Sequence, residues 1–436
     1  MVPAGGALLR LGLMAVILSP DPAAADCRSP GPPGVWRKFS GGPGGKLHVE
    51  RWIGDRFLAM SAHEGDVRDG GIFDPCTESW TSIEEIPRVP GVRLPAPVFT
   101  GRELLFFGGW PNRAGDDART PAAYAWRYDL GGRTWRPMSA TNAPAVRPGV
   151  GRGDVPAADW GDGPLEPGSL GERWTGSTLL VWDPPLMAAY DPRTDAWRTI
   201  PSEGAPTAPA VIGPVHDGSV FFLPWVDSRH KLPPAEQVAN GFRLYDARRN
   251  LWRATSAADR RAIPPWHLGV WDGVELTVFP RDYAPGTAPV PLAWNAATDR
   301  WRALPAWPGA DRFAQAGGRF AIGVQGLNHV HDSMSVLVLD RGAWRAHAIP
   351  LVDAAQAQWI PAPDAVMFLM GTTDYGGRNL LFRFHIGKNR WERAELPADR
   401  EIKGHALTWH DGRLWQYLAG DLWVVTPVWR SRAGWK

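Results

Sequence analysis

The sequence predicts an all-β fold, a β-propeller built from four-stranded blades. Three observations carry this expectation. A unit of aromatic, Asp, polar turn, Trp and Arg recurs along the chain, as in "YDPRTDAWR" from Tyr190 to Arg198. A series of short hairpins interleaves with it, most of them turning on Gly or Asp-Gly. The 436 residues include 49 Gly, 43 Pro and 25 Trp, which suits many short strands and turns better than long helices.

In chain order, the first segment lies outside the fold. Residues 1–25 carry one early positive charge (Arg10), a short apolar run from Leu11 to Leu18 and small residues before Asp26. This predicts a secretory signal peptide cut after Ala25. The apolar run is too short to span a bilayer, and no other segment is long enough. Cys27 beside the cut raises a lipoprotein as the alternative, against which Asp26 is a poor residue to precede a lipidated Cys. Export, secreted or periplasmic, places the only two cysteines in an oxidising space, so Cys27 and Cys76 are expected to pair. Two unrelated free thiols are the alternative.

Residues 26–436 are expected to form one propeller domain. The recurring unit appears as "GVWRKFS" (Trp36), "IFDPCTESWTS" (Trp80), "RYDLGGRTWRPMS" (Trp135), "AYDPRTDAWRTIP" (Trp197), "LYDARRNLWRATS" (Trp252), "AWNAATDRWRALP" (Trp301), "LVLDRGAWRAHAIP" (Trp344) and "RFHIGKNRWERAELP" (Trp391). The Trp residues are 43 to 62 residues apart, a period that points to propeller blades. Between them lie "VERWIGDRFLAM", "APVFTGRELLFF", "GERWTGSTLLVW", "GPVHDGSVFFL", "HLGVWDGVELTVF", "FAQAGGRFAIGV", "WIPAPDAVMFL" and "ALTWHDGRLWQYL". Each blade then has an inner strand, an apolar second strand, a third ending in the aromatic-Asp pair, and a fourth opening on Trp-Arg.

A four-stranded sheet cannot bury both faces alone, but blades packed around an axis can. The Trp is a large plug between blades, since one such ring removes up to roughly 250 Å² from water. The Asp holds backbone donors in an Asx-type turn. Eight hairpins imply eight blades. Seven result if "WIPAPDAVMFL" is not an inner pair. The last blade takes its fourth strand either from "VWRKFS" at the N-terminus or from "VWRS" at Trp429. The spacing of Trp36 to its following hairpin matches later units and favours the N-terminal strand. One stretch interrupts the period. Residues 140–169 are rich in Pro, Gly and Asp without apolar alternation and read as an inserted loop. It contains Arg152-Gly153-Asp154, an integrin-type tripeptide short enough to arise by chance.

On the "YDPRTDAW"-type turn and on "LLFFGG" from Leu104 to Gly109, the chain resembles the kelch family, the propeller class shared with the central domain of galactose oxidase. The resemblance spans about residues 30–430. It implies a fold rather than a function. The doubled glycine is clear only in the second unit, and the S-x-D-x-G-x-T-W box of sialidases is absent. Copper-radical chemistry, which the resemblance brings to mind, needs a cysteine cross-linked to a copper-ligating tyrosine. Cys27 and Cys76 lie outside the relevant inner loops, and there are only seven Tyr, so that chemistry is excluded.

Lys plus Arg total 47 and Asp plus Glu 45, a balance that argues against nucleic-acid or anionic-membrane binding. In an up-and-down blade the second-to-third and fourth-to-first connections share one end. Here they are the longer ones, so a site is expected there, near the axis. The ligand candidates are His63, Arg113, Trp225, Asp227, His267, Arg281, Asp282 and Tyr283. His329, His331 and Asp332 could begin a divalent-metal site, His329 and His331 sharing a face if the segment is a strand. A polar surface loop is the plainer reading. Otherwise no cofactor is expected. Glu172 and Arg173 are further polar candidates, and Trp110, Trp225 and Trp266 could stack on sugar rings. No nucleophile–base pair or phosphate loop appears. Two function classes stay open: an exported, monomeric module binding a protein or glycan, and a carbohydrate-active enzyme of lyase or mutarotase type.

Overall fold

The computed structural model describes residues 31–44, 49–60, 70–83, 92–93, 97–108, 110–111, 125–144, 171–183, 186–206, 210–216, 218–224, 242–256, 267–271, 274–280, 290–306, 312–316, 320–325, 333–340, 343–350, 358–362, 365–370, 379–386, 388, 390–398, 402 and 407–431. The expected signal peptide and most of the inserted loop lie outside these. Among the described residues there is no helix, and none therefore crosses a membrane.

The strands form antiparallel meanders. Sheet 1 is Val49–Ile53, Arg56–Met60, Gly70–Asp74 and Ser79–Ile83. Sheet 2 is Val98–Phe99, Glu103–Phe107, Ala125–Asp129 and Thr134–Pro137. Sheet 3 is Gly171–Trp174, Leu179–Asp183, Leu186–Asp191 and Ala196–Thr199. Sheet 4 is Ala210–His216, Ser219–Pro224, Arg243–Asp246 and Leu251–Ala254. Sheet 5 is His267–Trp271, Glu275–Pro280, Leu292–Asn295 and Arg300–Ala303. Sheet 6 is Arg312–Ala316, Phe320–Gln325, Ser333–Asp340 and Ala343–Pro350. Sheet 7 is Gln358–Pro361, Ala365–Met370, Asn379–His385 and Arg390–Leu396, and sheet 8 is Leu407–His410, Arg413–Leu418 and Asp421–Val425.

Both ends of the chain contribute an outer strand. Arg37–Phe39 pairs with Asp421–Val425 as the fourth strand of sheet 8. Arg430–Ser431 pairs with Arg390–Leu396 as a fifth strand on sheet 7. "VWRS" therefore does not complete sheet 8. It extends the sheet before it, where the Arg383 guanidinium lies 4.0 Å from the Trp429 ring centroid.

The second strands explain the packing. They are mainly apolar, and strand alternation sends successive residues to opposite neighbours. Leu104 and Phe106 join Val49, Leu58 and Ile72 of sheet 1, whereas Leu105 and Phe107 join Val181, Tyr190 and Trp197 of sheet 3. Leu180 and Trp182 then meet Val220 and Phe222 of sheet 4, and Phe221 meets Leu276 and Trp294 of sheet 5. Trp36, Leu414 and Val425 pack with Met367 and Leu381 of sheet 7. Trp415, Tyr417 and Val424 pack with Phe57 and Phe73 of sheet 1. Polar contacts link the remaining neighbours: Trp344 Nε1 donates to the Pro305 carbonyl at 3.0 Å and Trp391 Nε1 to the His347 carbonyl at 3.1 Å.

The recurring unit is an intersheet clamp. Its first aromatic, as at Tyr128, Tyr190, Tyr245 and Trp294, is fully buried. The next residue caps the turn: Asp129 accepts from Gly131 and Gly132 N–H, Asp246 from Arg248 and Arg249, and Asn295 from Ala297 and Thr298. Five residues after the aromatic the backbone is left-handed, at Glu78 (φ 53°), Arg133 (53°), Asp195 (52°), Asn250 (55°) and Asp299 (52°). Asp and Asn tolerate that region better than other non-glycine residues. The same side chains also reach backwards. Asp195 accepts from Tyr190 Oη and from Ser139 N–H of the preceding unit, and Asp299 accepts from Trp294 Nε1 and Ser256 N–H. Trp252 Nε1 donates to Pro201 and Trp301 Nε1 to Ser256 in the same backward direction. At Trp252 and Trp301 the ring is thus both plug and hydrogen-bond donor, whereas the buried Nε1 of Trp80 and Trp197 has no acceptor among the described residues. Only Trp36, Trp197 and Trp391 of the series are fully buried, and the other five are half-buried.

Candidate functional site

Because each sheet is a consecutive meander, its second-to-third connection and its link to the next sheet leave from the same end. First strands of neighbouring sheets lie side by side, so this end has an inner rim. The opposite end carries tight turns, for example Asp411 (φ 50°) and Gly412 (φ 73°), the pair of positive φ values a two-residue hairpin requires. Not every second-to-third connection is long. Residues 184–185 join the strands in sheet 3, and Ala419 (φ 51°) and Gly420 (φ 86°) make a tight turn in sheet 8.

His63, Arg113, Trp225, Asp227, Arg281, Asp282, Tyr283, His329, His331 and Asp332 lie outside the described residues, as do Trp266 and Cys27. His267 opens the first strand of sheet 5 and pairs in register with Pro280, the residue before Arg281. The register therefore places His267 and Pro280 at one strand end. Trp110 lies in a short ladder with Arg93, which ties the link between sheets 1 and 2 to the second-to-third connection of sheet 2. Glu172 pairs with Val181 and Arg173 with Leu180 on sheet 3, and the Arg173 side chain is half-buried. Cys76 lies in the third-to-fourth turn of sheet 1, where its N–H donates to Asp74 at 2.8 Å. Among the described residues no group of three His, Cys, Asp or Glu is placed to hold a metal.

Two buried polar networks lie away from the inner rim. Arg127 donates to Glu103 at 2.7 Å, to Tyr190 Oη at 3.0 Å and to the Pro192 carbonyl at 3.0 Å, bolting sheet 2 to sheet 3. Burial, then the bond to Asp195, pushes the Tyr190 phenol well above its ordinary range. In sheet 7, Glu392 accepts from Arg383 at 2.6 Å and from Arg390, and lies 3.0 Å from His385 Nε2. Burial works against ionisation of Glu392, but the two guanidinium groups outweigh it and hold the carboxyl at about 2. Burial, then Arg383, lowers His385. Each charged group in both networks has an opposite charge beside it, and both read as structural.

Glu50 is different, and sequence reasoning passed over it. It stands on the first strand of sheet 1 within "VERWI", opposite Ala59. Burial alone pushes its carboxyl up to about 7, and no hydrogen bond or ion pair to another described residue offsets this. The available signal was a carboxylate between apolar positions of a predicted inner strand. A group whose pKa rises from 4.5 to about 7 on folding costs nothing at acid pH and destabilises progressively as pH climbs through that window. Glu50→Gln should therefore melt higher than the parent at pH 8, by about 1–2 kcal/mol once partial exposure is discounted, with the gap closing toward pH 4.5. Parallel thermal melts across that range check it, and a gap that does not vary with pH would refute it.

No protein-family model and no curated protein matches the chain. Among solved structures, oligogalacturonate lyase from Vibrio parahaemolyticus is 11% identical, with a TM-score of 0.41, covering 81% of this chain and 98% of that one. TolB from Acinetobacter baumannii is also 11% identical, with a TM-score of 0.29, covering 87% of this chain and 81% of that one. At these TM-scores neither likeness says what this chain does.

Proposed function

We propose that the chain is an exported, eight-bladed propeller of kelch type that binds a protein or glycan through its loop-rich axial end. Eight sheets pack in sequence order, with sheet 8 against sheet 1, which supports a ring closed by the N-terminal strand Arg37–Phe39. A Cys27–Cys76 disulfide would fit export. The observation that carries the functional reading is topological. The long connections bearing His63, Asp227, Arg281 and His329 all leave the sheets at one end, where first strands adjoin. A concave mouth fed by several blades recognises a ligand without any one blade specialising. Metal binding by His329, His331 and Asp332 is an optional addition to that mouth.

A carbohydrate-active enzyme is the second reading. Glu50 favours it, because a desolvated carboxyl that ionises near neutrality suits proton transfer.

The test is an Arg281→Ala/His329→Ala/His331→Ala variant that keeps the parent melting midpoint. Binding on an oligosaccharide array, with and without added divalent metal, should fall about tenfold or more. Full retention, together with loss on replacing the turn residue Asp411, would place the site on the opposite end.

A further inference from the structure

Strand alternation fixes where Glu50 points. Val49 and Ile53 are buried against sheet 2, so Glu50 and Trp52 face the seam with sheet 8. From across that seam come Trp415, Tyr417 and His410, whose ring stacks on Trp52 at 3.7 Å; burial, and then Glu50, raises the Tyr417 phenol. The register sets the height. Glu50 is opposite Ala59, one residue before the second strand ends and the 61–69 connection begins. The carboxyl therefore stands at the loop-rich end of an inner strand, half-buried.

Its surroundings distinguish it from the other acids. Glu103 has Arg127, Glu275 has Arg302, Glu78 has Arg37, and Glu392 has two arginines. Glu50 has none. Asp421, the other acid near Tyr417, is taken by Lys38 at 2.7 Å. Arg51 is on the opposite face of Glu50's own strand. A structural carboxylate in a partly dry seam would be expected to have a partner, because an unpaired buried charge is costly. A carboxyl kept without one is available to a ligand. In its neutral form it offers one O–H donor and a carbonyl acceptor, which matches the paired donor and acceptor character of a hydroxyl. Once ionised, above about pH 7, it would repel a second acid group beside it.

We propose that Glu50 is a ligand-contacting residue of the axial mouth, and that the ligand it contacts is a saccharide bearing hydroxyls but no acid group. The proposal rests on the axial reading above and adds the substrate class.

The experiment uses the full chain on an immobilised array of neutral, amino and uronic-acid oligosaccharides at pH 6 and pH 8. Binding to neutral saccharides is expected, weaker at pH 8, while amino saccharides should show no such weakening, because an ionised Glu50 would pair with their ammonium group. Glu50→Ala should lower it about tenfold or more. Glu50→Gln, which keeps a donor and an acceptor, should retain binding within about threefold and flatten the change between the two pH values. Binding confined to uronic acids, binding to no saccharide, or an unchanged Glu50→Ala variant would each overturn the proposal. The Arg281→Ala/His329→Ala/His331→Ala variant separates the two readings. Loss there with Glu50→Ala unchanged removes Glu50 from the site and leaves the axial end in place, whereas loss in neither removes both. Melting midpoints of the Glu50 variants exclude unfolding as the cause.

Discussion

Trp197→Ala should lower the stability of the fold by about 3–5 kcal/mol, the range for emptying a large aromatic site in a packed core. The indole is 3% exposed and fills the seam between sheets 2 and 3. Its ring centroid lies 4.7 Å from that of Phe107 on one side and 4.9 Å from that of Tyr190 on the other. Neither neighbour can collapse into the vacated space. Phe107 is fixed by the register of its own strand, and Tyr190 is held by its hydroxyl between Arg127 and Asp195. Trp301→Ala makes the comparison. That ring is half-buried, so it leaves less cavity, but its loss also orphans the Ser256 carbonyl that it bonds at 2.9 Å. A smaller loss, about 2–3 kcal/mol, is expected. Urea unfolding of the three proteins under one condition measures both. An unchanged midpoint in Trp197→Ala would end the view of the repeated Trp as an intersheet plug.

The repeat was legible because its signals are local. A Tyr-Asp pair, a polar turn and a Trp lie within eight residues, and the Asp capping seen at Asp129, Asp246 and Asn295 is a property of the turn itself. The clamp was not legible. Asp195 reads as a turn residue, yet half its work is accepting the Ser139 N–H, and nothing in the local sequence says that the two meet. The same limit hid Glu50. Its strand was evident, but its environment is made by Tyr417 and Trp415 from near the other end of the chain. The loop candidates illustrate the converse. Residue type and position between strands were enough to nominate His63, Arg281 or His329, because loop polarity is local. Whether such side chains converge depends on the path of each loop, which no strand period encodes. The fate of "VWRS" has a similar cause. It has the composition of a fourth strand, and only the competition with Arg37–Phe39 for the edge of Asp421–Val425 sends it to sheet 7 instead.

That competition yields the largest expected effect. A chain that begins at Gly41 loses Arg37–Phe39 and with it the outer strand of sheet 8. It also loses Trp36, 7% exposed in the cluster shared by sheets 7 and 8, and Phe39, which packs 4.9 Å from Phe73 in the seam with sheet 1. Trp and Phe sites of this kind are worth about 3–5 kcal/mol each, and a domain's net stability is only about 5–15 kcal/mol. The truncated chain should therefore fail to fold cooperatively, with the exposed edge of Asp421–Val425 open to aggregation. Two controls keep this from being a general effect of trimming. Cys27→Ser/Cys76→Ser keeps the strand while removing the proposed disulfide and should lose about 4 kcal/mol or less, with a cooperative transition preserved. A chain that ends at Pro427 loses Trp429 and the Arg430–Ser431 strand, but leaves sheet 7 with four strands. Its cost should be about 1–3 kcal/mol, mainly the Arg383–Trp429 contact and the ring's packing on its neighbours. The order of severity is the decisive outcome, read by calorimetry on all three. If the C-terminal truncation is the one that abolishes the transition while the chain from Gly41 melts normally, the N-terminal strand does not close the fold.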